Sequence, residues 1–196
     1  MDLHVRANRI WIRKILNFLA IDVGWTACAL GAGRGYPWIG PGVVALLLAA
    51  HFYAADSRGR EALLIGAVGL LGIIADGVLT AAGAFAFHDN PMAPLIPPFM
   101  IALWLNFATG VNYSLSFLKG APWTAAVFGL IGGPAAYYGG HRLGAIHLHG
   151  NLWFSLGAVA LEWALVTPLM FGIARVIMER SVSSGHLGGP QRFDSA

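Results

Sequence analysis

Six stretches of this chain, residues 15–30, 38–55, 62–85, 99–118, 123–138 and 152–174, run almost without charge between polar turns. A helix crosses the hydrocarbon layer of a bilayer with about 20 apolar residues, so each stretch reads as a membrane span. Barrel strands would alternate apolar and polar residues, whereas these runs are continuous, so the spans are helices. Composition agrees. Of the 196 residues 57% are hydrophobic and 11% charged, against about 25% charged in an ordinary soluble domain. That balance excludes a soluble globule and a disordered chain alike. The expected fold is all-α, a polytopic transmembrane bundle of six spans. Residues 1–14 form a basic leading segment, 15–174 the membrane domain and 175–196 a flexible tail.

The punctuation between the runs supports this division. Asp56-Ser57-Arg58-Gly59-Arg60-Glu61 reads as a polar turn, and the prolines between Asn90 and Pro98 each remove a backbone donor, so that stretch is a loop. Lys and Arg concentrate in cytoplasmic segments. With the amino terminus inside, Arg6, Arg9, Arg13, Lys14, Arg58, Arg60, Lys119, Arg175, Arg180 and Arg192 are cytoplasmic, and Arg34 and Arg142 alone are outside. Both termini are therefore expected in the cytoplasm. The basic residues are scattered over helix ends, which argues against a nucleic-acid partner. Asp22 argues against reading the first run as a cleaved signal peptide. Cys28, the single cysteine, cannot form an intrachain disulfide. Glycines spaced four apart, Gly129 with Gly133 and Gly140 with Gly144, predict close helix contacts.

Chemistry is sought among the groups that cost most to bury. A carboxylate at the centre of a membrane helix costs about 2.5–3.5 kcal/mol, so it faces the bundle interior, pairs or stays protonated. Asp22, Asp76 and Glu162 fall at ~10, ~21 and ~18 Å from the cytoplasmic ends of their spans, and Asn106 at ~18 Å. Asp76 and Glu162 are the candidate catalytic pair. Two carboxyl groups at similar depth repel when both are ionised, so they are expected to share a proton, as a general acid requires. Asn106, Thr109, Asn112, Tyr113 and Ser116 fall within ~120° on a helical span four, a polar stripe from which Trp104 points away. Asp22, Trp25, Asn106, Asn112 and Arg142 are the candidate ligand-binding residues.

Other polar positions are read as structural. His51 is expected to be a hydrogen-bonded packing residue with the capacity to relay protons. His141, His147 and His149 have metal-ligand spacing, but no cysteine adjoins them and a solvated loop is expected, with no metal and no cofactor.

Asn17 with Gly24-Trp25, Asp76-Gly77, Leu103-Trp104 through Asn112-Tyr113-Ser114-Leu115, Gly132-Gly133-Pro134 with Tyr137, and Arg142-Leu143-Gly144-Ala145 carry a family resemblance. Over residues 15–174 the chain resembles an uncharacterised family of small bacterial inner-membrane proteins, known as a domain of unknown function. The resemblance implies an inner-membrane location and a setting in lipid metabolism, since members are often encoded beside enzymes of the cyclopropane-fatty-acid-synthase type. It implies no reaction and no catalytic residues. The expected function is handling or modification of a membrane lipid in an intramembrane polar pocket. A proton-coupled carrier or flippase, or an assembly factor for a lipid-modifying enzyme, are the alternatives. The expected partners are the bilayer, a lipid or acyl substrate and such an enzyme.

Overall fold

Three helices are long and apolar enough to cross a membrane, as befits a membrane protein: Asn8–Gly33, Arg58–Ala81 and Leu152–Glu179. They belong to a computed structural model that describes residues 2–87 and 90–185. Its helices are α1 (Asp2–Gly33), α2 (Ile39–Ala54), α3 (Arg58–Ala81), α4 (Pro98–Ala108), α5 (Pro122–Arg142) and α6 (Leu152–Gly185). Pro98 and Pro122 open α4 and α5, where a missing N–H costs nothing. The helical frame expected from the apolar runs is present, with α2 and α4 as shorter apolar helices.

Several boundaries differ from the sequence reading. Helix α1 begins at Asp2, inside the expected leading segment, and α6 continues past Ala174 to Gly185. Residues 186–196 of the expected tail lie outside the described residues. The largest departure is span four. Its helix stops at Ala108, and turns followed by a short 3-10 segment (Ser116–Leu118) replace the second half. Thr109 turns its hydroxyl back onto the Asn106 carbonyl at 2.7 Å, competing with the helix ladder. A side chain at Gly110 would meet Ile21 of α1 at 2.9 Å. The expected helical stripe from Asn106 to Ser116 therefore does not exist, and its members diverge.

Helices α3 and α5 end alike. Gly83 and Gly144, at φ +75° and +81°, take the left-handed conformation that glycine tolerates. The next N–H groups, of Ala84 and Ala145, return to the Leu79 and Gly140 carbonyls at 2.9 Å. Both turns lead into two-residue strands, β1 (Phe85–Ala86) and β2 (His147–Leu148), paired antiparallel with Phe85 opposite Leu148. This ladder ties the α3–α4 connection to the α5–α6 connection and marks the hairpin end of the bundle. Arg13, Lys14, Arg58, Arg60 and Lys119 mark the opposite, basic end.

Helix packing runs α5 on α6, α6 on α3, α3 on α4, and α4 on both α1 and α2. Helices α1 and α2 also pack on each other, so the order runs from α5 at one end to the α1–α2 pair at the other, and α5 and α1 are the two tips that flank a cleft. Gly129 and Gly133 receive Trp163 of α6, so one expected glycine pair does bring two helices close. Of the other pair, Gly144 lies in the turn after α5, where the backbone comes close to Gly33 of α1. Exposed Trp11, Tyr53 and Trp123 lie at the basic end, and exposed Tyr36, Trp38 and Trp153 at the hairpin end. Amphipathic rings favour the level of lipid headgroups, so these two sets bracket an apolar band.

A cleft between the tips of the bundle and a buried carboxyl pair behind it

The gap between α1 and α5 is a cleft of about 330 Å³, walled mainly by apolar and aromatic side chains. Phe18, Asp22 and Trp25 line it from α1, Trp104 and Asn106 from α4, and Tyr137 from α5. Trp163 of α6 closes the floor, stacked on Trp104 with centroids 4.8 Å apart and planes 17° from parallel. At the hairpin end the tips meet. A side chain at Gly139 would sit 3.1 Å from the Trp25 ring, and one at Gly33 would strike the Leu143 carbonyl. Toward the basic end Phe18 and Phe128 line the cleft and stay exposed.

Asp76 lies directly behind this wall. It is fully buried, and it accepts a hydrogen bond from Trp104 Nε1 at 2.6 Å on Oδ2 and another from the Tyr137 hydroxyl on Oδ1. Each donor is the polar tip of a ring whose body faces the cleft. Hydrogen bonds to a charged group contribute about 1.5–3 kcal/mol each, enough to offset much of the cost of placing a carboxylate here. Helix α3 admits Trp104 because position 72 is glycine, where any side chain would overlap the indole.

Glu162 faces α3 within electrostatic reach of Asp76 and Tyr137. Its two carboxyl oxygens are buried and have no hydrogen-bond partner among the described residues. A buried carboxyl group without donors is costly, so it needs a proton or a ligand to become satisfied.

The candidate residues from the sequence thus separate into three places. Asp76 and Glu162 come together in the interior. Asp22, Trp25 and Asn106 line the cleft, although Asp22 is exposed at its mouth and Asn106 is spent in part on structure. The Asn106 amide donates to the Ile21 carbonyl at 3.0 Å, and Gly24 leaves room for it. Asn112 and Arg142 do not belong to the cleft. Arg142 is exposed at the end of α5. Asn112 sits at the basic end, donating to Glu61 Oε1 at 2.8 Å and accepting from Lys119 Nζ at 2.8 Å.

That basic-end network was not legible in the sequence. Glu61 belongs to the first turn of α3, not to a solvated turn, and is 6% exposed. His51 Nε2 of α2 stands 3.1 Å from its other oxygen, so His51 is the hydrogen-bonded packing residue expected. Asn17 ties α1 to the same region, donating to Thr109 Oγ1 at 3.0 Å and accepting from Ser114 Oγ at 2.7 Å. Among the loop histidines, His141 sits within hydrogen-bond reach of the Ile146 and Leu148 backbone and braces β2.

Tyr137 and Trp104 are the site residues that sequence reasoning passed over. A buried Asp needs donors, and an indole or phenol supplies one at the least cost in burial. Comparison with known proteins gives one family, described as Protein of unknown function (DUF2878), whose model matches residues 14–169. No curated protein matches the chain. No solved structure matches it.

Proposed function

We propose, from the premise that the chain belongs to the DUF2878 family, whose description assigns no activity, that it handles or modifies a membrane lipid in the cleft between α1 and α5. In this reading it sits in a bacterial inner membrane with six spans and both termini in the cytoplasm. The observation that carries the reading is the cleft itself: apolar, open sideways between two helices, and backed by a carboxyl group that reaches it through a tyrosine hydroxyl. Its volume is at the low end of the about 300–1,000 Å³ of small-molecule sites, which suits one acyl chain entering from the bilayer.

The chemistry available is proton movement. Asp76 has no direct face on the cleft, so it acts through Tyr137: as the acceptor of the tyrosine hydroxyl's hydrogen bond it can take that proton while the phenol oxygen receives one released by an occupant. Glu162 is the second proton holder. Trp25, Asn106 and Asp22 orient what lies in the cleft. That Glu162 has no hydrogen-bond partner among the described residues also favours a second reading, a carrier in which this group binds and releases a coupled proton.

The test is to compare lipid extracts from cells expressing the native protein, Asp76→Asn, Glu162→Gln or Gly132→Leu at matched protein levels. Gly132 lines the cleft, and a Cβ there is 4.0 Å from its nearest neighbour, so a leucine fills the space without striking the backbone. Lipid changes that need all three native positions support modification. Unchanged lipids, with pH-gradient-driven uptake into proteoliposomes lost in Glu162→Gln, support the carrier. Neither effect defeats both readings.

A further inference from the structure

We propose that the cleft's occupant is an anionic phospholipid whose phosphate is held at the basic end between Lys14 and Lys119. The proposal rests on the lipid reading above and names the lipid's class. Its starting point is the register of α1. Lys14, Phe18, Ile21, Asp22, Trp25 and Ala29 fall within an arc of ~100°, and all but Lys14 line the cleft. Lys14 therefore continues the lining face of α1 by one turn toward the basic end, ~6 Å below Phe18.

Lys119 arrives from the other tip. Phe117, two residues before it, packs edge-on against Phe128 of α5 with centroids 6.1 Å apart, and Phe128 is a lining residue of the cleft. The Lys119 ammonium is held by Asn112 at 2.8 Å, which keeps it at the bundle end instead of trailing into solvent. Lys14 lies within electrostatic reach of the Lys119 ammonium. Partial burial lowers the Lys119 pKa, Lys14 lowers it further and Glu61 opposes both. Both carboxyl oxygens of Glu61 are engaged by His51 and Asn112, so the two ammonium groups can still accept an anion between them.

The geometry also says which end takes the headgroup. From Phe18 to Ala29 the α1 wall of the cleft rises ~17 Å, narrowing where Trp25 meets Gly139 and ending against Ala145 and Ile146 at the hairpin end. A chain entering from the basic end runs up this wall past Phe18 and Ile21 to the stacked indoles. Asp22, exposed part-way up, repels a second anion there and leaves Lys14 as the cationic residue that continues the α1 face of the cleft among the described residues. Arg13, next to Lys14, is spent on Asp56 at 3.1 Å, so it does not compete for the phosphate.

Lipid-stripped full-length protein in neutral detergent is mixed with equal amounts of phosphatidylglycerol and phosphatidylcholine of the same chains, and bound lipid is counted by native mass spectrometry. Phosphatidylglycerol is expected to predominate. Each of Lys14→Gln and Lys119→Gln should lower that preference roughly fivefold, and Lys119→Arg should retain it. Gly132→Leu should reduce binding of both lipids. Inorganic phosphate at millimolar concentration should not displace the lipid, and displacement would mean that a free anion, not a lipid, is the ligand. Equal binding of the two lipids by the native protein, or a preference untouched by both glutamine variants, overturns the headgroup assignment while the Gly132→Leu loss still upholds the cleft. Lipid binding that Gly132→Leu leaves intact overturns the cleft reading itself.

Discussion

Tyr137 donates its hydroxyl to Asp76 while its ring forms part of the cleft wall, so the buried carboxyl group and the cleft share one side chain. Removing the hydroxyl in Tyr137→Phe leaves Asp76 with one of its two described donors. The expected cost is about 1–3 kcal/mol, read as a lower midpoint of thermal unfolding in detergent. Asp76→Asn is expected to cost less than Asp76→Ala, because its amide oxygen still accepts from Trp104 and its amide nitrogen can donate to the tyrosine oxygen. Equal losses for the two Asp76 variants would show that these hydrogen bonds do not hold α3 to α4 and α5.

Adjacent glycines on α5 should respond in opposite directions. A Cβ at Gly133 would lie 2.7 Å from the Trp163 Cβ, so Gly133→Ala forces α5 off α6 and should cost about 1–3 kcal/mol. Gly132 faces the cleft with open space, and Gly132→Ala should gain up to about 1 kcal/mol from lower backbone entropy in the unfolded chain. Thermal unfolding of the two alanine variants side by side measures the difference. A destabilised Gly132→Ala would mean that the cleft is narrower than described.

The helical frame was legible because the apolar runs are long and their breaks are chemically sharp. Depth was legible too: Asp76 and Glu162 lie within electrostatic reach of each other, as their similar depth along α3 and α6 allowed. Facing was less so. Rotating α4 by 100° per residue set Trp104 opposite Asn106, which is where it lies, but the reading then followed the polar side. The indole instead serves the carboxyl group and Asn106 serves the Ile21 backbone. Continuing that rotation past Ala108 failed because helical phase has no meaning once Thr109 and Gly110 break the ladder. Glu61 was lost for a different reason. Its sequence neighbours Arg58, Gly59 and Arg60 are exposed, and only the fold brings His51 and Asn112 onto it.

Glu61 makes a sharp test of buried pairing. His51→Ala alone leaves one carboxyl oxygen of Glu61 without its partner and should cost about 1–3 kcal/mol. Replacing both residues, His51→Leu with Glu61→Met, removes the polar requirement at similar volume and should recover most of that loss. A double-mutant cycle on thermal unfolding reports the coupling. Additive losses would place the stabilising contact of His51 elsewhere, for instance in its edge-on packing against Tyr113, with centroids 5.1 Å apart.

Six spans and three spans differ in where the turns lie. In the six-span arrangement, Arg34 and Gly150 lie outside and Gly59 lies in the cytoplasm. Cys28 is buried and supplies the one thiol of the chain, so Cys28→Ala gives a silent background for Arg34→Cys, Gly59→Cys and Gly150→Cys in turn. Positions 59 and 150 have nothing within 4 Å of an added Cβ, and the Arg34 side chain is exposed, so none of the three new thiols should disturb the fold. A membrane-impermeant maleimide applied to intact cells with the outer membrane opened should label positions 34 and 150 within minutes and position 59 only after the inner membrane is lysed. Labelling at 59 before lysis would place the α2–α3 turn outside. The basic end, with Lys14 and Lys119, would then face away from the cytoplasm, and the charge count that orients the chain would have been misread.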